Sequence, residues 1–215
     1  MSTNKKFSTL LVACAAVAIF SLPLHAASLS GFGPTLVSGS SAYSGPTLNG
    51  VIEYAVFTEA AFEANFAGFD VPAGELAYVY QILNGDSDPN NTDDPVSQNA
   101  VVGINSSVTG IGDFTIDAGE SETPTQANIL TPTVSAVWDF SGIGNNIPSA
   151  GRSNGLVMTS TNLPGPATTL DIVVDGGGSA IAMVVAPGDI PIPEPATIAL
   201  LGVAVSLLGV RRRMR

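Results

Sequence analysis

Leu76-Ala77-Tyr78-Val79-Tyr80-Gln81-Ile82-Leu83 (LAYVYQIL) is the stretch on which the reading of the fold turns. It is dense in the aromatic and β-branched residues that fit a pleated surface. Alternate side chains of an extended chain point to opposite faces. Leu76, Tyr78, Tyr80 and Ile82 therefore share one face, and Ala77, Val79, Gln81 and Leu83 the other. Both faces are largely apolar, which predicts a central strand.

Working outward, Val51–Thr58 (VIEYAVFT) has the same character. Further short strands are predicted at Ala100–Ile104, Gly112–Ile116, Val134–Phe140, Gly155–Ser160, Leu170–Asp175 and Ala180–Ala186. Turn chemistry separates them: Asn84-Gly85-Asp86, Gly142 to Asn146, Leu163-Pro164-Gly165-Pro166 and Gly176-Gly177-Gly178. Thr58–Phe66 (TEAAFEANF) is the one helix-leaning piece, with Thr58 as its N-cap. No internal repeat is seen. Short strands about every ten residues predict an all-β body, an Ig-like or jelly-roll type β-sandwich.

Composition agrees. Of 215 residues, 23 are Gly and 15 Pro. Only 12% are charged, against roughly one-quarter in an average soluble domain. The charge is unevenly placed. Between Ala27 and Asp189 seventeen carboxylates face a single cation, Arg152, a net of −16. Such a body is soluble and repels polyanions, and without a basic patch it excludes nucleic-acid binding. Cys14 and His25 are the only residues of their kinds. Both fall in or beside an N-terminal apolar segment. Its removal would leave no means of building a disulfide, a zinc–thiolate site or His-based catalysis.

The two ends read as processing segments. Lys5 and Lys6 form a basic start, Leu10–Leu24 an apolar run, and Ala26/Ala27 a small-residue cleavage site for signal peptidase. Residues 1–26 are thus expected to be a signal peptide with a short helix, and 27–189 the β-sandwich ectodomain. At the other end, Pro193-Glu194-Pro195 precedes the apolar stretch Ala196–Val210 (ATIALLGVAVSLLGV), and Arg211, Arg212, Arg213 and Arg215 close the sequence. The apolar stretch is shorter than the ~20 residues that comfortably span a bilayer. It can cross as a short transmembrane helix if the bilayer thins and its arginines snorkel. Those arginines anchor its end on the cytoplasmic side and place the body outside the inner membrane.

Residues 190–215 resemble the PEP-CTERM sorting signal of Gram-negative bacteria, with Pro193-Glu194-Pro195-Ala196-Thr197 matching its usual opening. The resemblance implies export, transient retention in the inner membrane by the C-terminal helix, and processing by exosortase near Pro193-Glu194-Pro195. The protein would then pass to the cell surface or extracellular matrix, where such proteins accompany exopolysaccharide and biofilm gene sets. The body also looks like a recurring PEP-CTERM ectodomain of unassigned function. That likeness rests on Tyr78–Asn84 entering an acidic turn, on Trp138-Asp139-Phe140 followed by Gly151–Leu156, and on Thr159-Ser160 leading to a Pro-rich turn and Val174–Gly177.

Candidate sites within the body are few. Asp86, Asp88 and Asn90 carry the first three oxygen spacings of a Ca²⁺ loop, but Asn91 and Ser97 stand where such a loop needs Gly and Glu. The alternative is a solvated hairpin loop. Trp138 is either a sugar-stacking platform or a core residue, and Tyr78 and Tyr80 read as core. Ser153 and Ser160 have no His for a triad. Gly176-Gly177-Gly178 is followed by neither Lys nor a helix, so it is no phosphate loop. Arg152 reads as structural. Asn90 and Asn105 open N-x-[ST] sequons that carry no weight by themselves. The expectation is a non-enzymatic surface or matrix protein. The alternatives are a carbohydrate-binding or adhesive module, with Ca²⁺ as its one conceivable cofactor, and last a carboxylate-only glycoside hydrolase.

Overall fold

The computed structural model describes residues 29–85, 95–104, 108–116, 121–130, 135–142, 144–175 and 177–191. Among these, a 3-10 turn at Leu29–Gly31 leads into β1 (Val37–Ser44), β2 (Asn49–Thr58), α1 (Glu59–Glu63) and β3 (Leu76–Asn84). There follow β4 (Gln98–Val102), β5 (Val108–Phe114), β6 (Gln126–Leu130), β7 (Ser135–Asp139) and β8 (Gly155–Ser160). β9 (Asn162–Pro164), β10 (Thr169–Val174), β11 (Ser179–Val184) and β12 (Pro187–Pro191) complete the order. The body is thus an all-β sandwich of antiparallel sheets, as expected.

Sheet one has the order β1-β2-β3-β8-β5 and sheet two the order β11-β10-β4-β7-β6. β9 and β12 form a small separate pair. The chain crosses between the sheets repeatedly. β3 is followed by β4 of sheet two, β5 returns to sheet one, and β6 and β7 lie in sheet two again. At one edge β1 lies against β11, where the Met183 N–H donates to the Ser41 hydroxyl at 3.1 Å. At the other edge β5 lies against β6. The sheets therefore stack with their strand orders running the same way.

β3 sits mid-sheet, paired with β2 through Tyr54↔Tyr80 and with β8 through Tyr78↔Met158. Its two apolar faces serve two cores. Leu76, Tyr78, Tyr80 and Ile82 enter the core between the sheets, with Val101, Trp138 and Val173 from sheet two. Ala77 and Val79 join a second core on the outer side of sheet one, with Phe57, Phe62, Phe66, Phe114 and Val157. Thr58 caps α1 as predicted, its Oγ1 accepting the Ala61 N–H at 3.3 Å. The helix places Phe62 against Phe114 with ring centroids 4.9 Å apart at 78°. Gly155 leaves room for that layer: a Cβ there would lie 2.4 Å from the Phe114 ring.

Candidate functional site

Trp138 resolves toward the core. It is fully buried, and its Nε1 crosses the sandwich from β7 to donate to the Gly112 carbonyl of β5 at 2.7 Å. Its ring lies 6.1 Å from that of Tyr80. A ring so enclosed presents no face to a sugar. Tyr78 and Tyr80 are buried too, and their hydroxyls donate to the Asn162 and Val185 carbonyls, each at 2.7 Å. Tyr78 thereby ties sheet one to β9, and Tyr80 ties it to the turn between β11 and β12. Burial raises both phenols, Tyr80 well above its usual value, with Asp171 and then Tyr78 adding to the effect.

The two serines are structural. Ser153 Oγ accepts the Ile82 N–H at 3.0 Å and donates to the Asn154 carbonyl at 2.7 Å. Ser160 Oγ accepts the Asn162 N–H at 3.0 Å. Gly177 and Gly178 fold back on Asp175, whose Oδ1 accepts their N–H groups while Oδ2 accepts from the Thr47 hydroxyl. Arg152 pairs with Leu83 in an isolated bridge, and its carbonyl accepts the Glu122 N–H at 2.9 Å. Arg152 thus helps close the β5–β6 connection onto sheet one. Asp86, Asp88 and Asn90 lie outside the described residues, as do Ala26, Ala27, Pro193 to Pro195, Ala196–Val210 and the C-terminal arginines. Among the described residues, no group of three or more His, Cys, Asp or Glu side chains could hold a metal ion. Among them, too, no helix is long and apolar enough to cross a membrane.

Two features escaped the sequence reading. The first is the outer face of sheet two. In β11 the alanines and Val184 point inward, whereas Ile181 and Met183 point outward, 52% and 48% exposed. Cross-strand register puts Ile181 beside Ile172, and Met183 beside Leu170, which in turn faces Val102. Ala100 continues the apolar row to Val137. Gln98, Gln126 and Asp139 line one end of this face. An apolar patch rimmed by polar groups marks a contact surface more often than chance. The available signal was that Ala180–Ala186 is apolar at both alternations, so one apolar set had to face away from the core.

The second is Asp171, wholly buried on the inward face of β10, where among the described residues only the Asn99 amide donates to it. Its surroundings admit no solvent, so it does not form half of a cleft for carboxylate catalysis.

β12 ends the described chain. Asn162 Nδ2 holds it by donating to the Gly188 carbonyl at 2.5 Å, and the Gly165 N–H donates to the Ala186 carbonyl at 2.9 Å. The boundary expected between 189 and 190 falls inside this strand. Residues 191–215 match the PEP-CTERM protein-sorting motif, so the chain carries that motif and the match begins on the last residue of β12. No curated protein and no solved structure matches the chain.

Proposed function

We propose that this chain, which carries a PEP-CTERM protein-sorting motif at residues 191–215, is an exported surface protein whose β-sandwich acts by contact and not by catalysis. A signal peptide at 1–26 starts its export and is removed at Ala26/Ala27 by signal peptidase. Ala196–Val210 holds the body at the outer side of the inner membrane, with Arg211, Arg212, Arg213 and Arg215 on the cytoplasmic side. Exosortase then acts at or near Pro193-Glu194-Pro195, and the body passes to the cell surface or the exopolysaccharide matrix of a biofilm.

The observation that carries this reading is the junction itself. The sorting motif starts where β12 stops, so strand and tail share Pro191 and no spacer separates the sandwich from its address. The body supports a contact role in two ways. Its −16 charge keeps it soluble outside the cell, and the outer face of sheet two leaves Leu170, Ile181 and Met183 in solvent.

Replacing Pro193, Glu194 and Pro195 together by alanine tests the sorting step. The variant should accumulate in the inner-membrane fraction with its tail attached. Release of the variant at the wild-type rate counts against it. A binding assay on the cell's own exopolysaccharide, with and without Ca²⁺, separates this reading from the carbohydrate-binding alternative, which needs saturable retention.

A further inference from the structure

Asp171 faces the interior between the two sheets and is fully buried. It lies opposite Ala182 of β11 and Val101 of β4. Asn99, also fully buried, lies opposite Val173 on one side and Trp138 on the other, so it is a diagonal neighbour of Asp171 on the same face. Asn99 Nδ2 donates to Asp171 Oδ1 at 2.5 Å. Asp171 Oδ2 and Asn99 Oδ1 are both buried without a hydrogen-bond partner.

These two unpaired atoms belong to the same pair of side chains. An ionised carboxylate can only accept hydrogen bonds, so it leaves the amide oxygen unsatisfied and both buried oxygens without a hydrogen. A single hydrogen on the carboxyl corrects both faults. We propose that Asp171 carries a proton on Oδ2 in mildly acid solution and donates it to Asn99 Oδ1, closing a two-hydrogen-bond acid–amide pair in the sandwich core. Loss of that proton as pH rises through neutrality breaks the second bond and weakens the body, which makes the pair a pH-sensitive element of the exported domain.

The surroundings favour the neutral form. The inward positions of β2, β3, β8, β4, β7 and β11 carry no Lys, Arg, His, Asp or Glu. Tyr80 of β3 is the titratable group on which the Asp171 charge acts, and Tyr78 lies beyond it, both phenols raised by burial and engaged with backbone carbonyls. Asp113 shares the inward face only on the edge strand β5, where Asn154 Nδ2 donates to it at 3.3 Å. Burial lifts the Asp171 carboxyl from 3.8 to about 7, and the Asn99 hydrogen bond partly opposes the rise. The folded state thus holds this proton more tightly than the unfolded chain does. The stabilisation is complete below about pH 4 and is lost as pH rises through about 7.

The test uses the full chain in detergent micelles, with aspartate labelled by ¹³C. Infrared spectra should show a protonated-carboxyl stretch at pH 6 that moves with the label and disappears by pH 9. This reading needs no variant, and absence of the band at pH 6 overturns the proposal. Asp171→Asn supplies the missing hydrogen permanently, because its own Nδ2–H can close the same ring with Asn99. The wild-type urea midpoint should fall between pH 5 and 8, and the variant should lose most of that fall. A variant midpoint that tracks the wild type across this range would overturn the assignment to Asp171.

Discussion

Trp138 joins three roles that a smaller ring would lose together. It fills the space between the sheets, packs near Tyr80, and donates across the core to Gly112. Trp138→Phe keeps an aromatic ring but loses volume and that hydrogen bond. Each loss costs on the order of 1–2 kcal/mol, so a total of about 2–4 kcal/mol is expected in urea unfolding of the full chain. Ala150 illustrates the opposite case. Its φ of 58° lies in the left-handed region, the only such non-glycine among the described residues. That conformation costs an L-residue about 1–2 kcal/mol, whereas glycine adds about 0.5–1 kcal/mol of unfolded-state entropy. Ala150→Gly should therefore raise stability by about 0.5 kcal/mol, and a loss larger than that would mean the Ala150 methyl makes contacts worth more than the strain. The tyrosines of the central strand were readable as core because their spacing matches the pleat. Asp171 was not, since a carboxylate between Leu170 and Ile172 reads as an ordinary exposed alternation. Only the register with Val101 and Ala182 reveals that its side of β10 faces inward.

At the scale of elements, the best-read pieces were strands with large residues at alternate positions. β8 matches its predicted range, and β3 and β2 extend theirs by one or two residues. The strands that went unread have physical reasons for silence. β1 (VSGSSAYS) is an edge strand with small side chains, and Gly39 there admits the Tyr54 hydroxyl, which lies 2.6 Å from where a Cβ would stand. β6 is a short edge strand, and β9 and β12 contain prolines that read as turns. α1 was legible from Thr58, but a five-residue helix cannot stand by itself. Its stability comes from burying Phe62 among Phe57, Phe66 and Phe114. Phe62→Ala should accordingly cost about 3–5 kcal/mol, and Thr58→Ala about 1 kcal/mol because its cap is exposed. Equal effects of the two in denaturation curves would mean that the cap, and not the ring, holds the helix.

For the whole molecule, the charge map and the two terminal segments suggested where the protein goes, and the sandwich suggests how it acts there. The outer face of sheet two was illegible because β10 turns its Asp171 alternation inward and its apolar Leu170–Ile172–Val174 set outward, while apolar residues at both alternations of β11 predict only a well-packed strand. The structure shows which set is left over. Ile181→Ser with Met183→Ser should leave folding within about 0.5 kcal/mol, since surface substitutions usually do, and should reduce retention of the protein on the cell surface if that face makes the contact. If the sandwich is exported and parted from its sorting tail, mass spectrometry of the protein recovered from the surface or secreted fraction will find both new termini. The expected chain begins at Ala27 and ends at or near Pro193-Glu194-Pro195. A chain from that fraction that still carries Arg211 to Arg215 would contradict it.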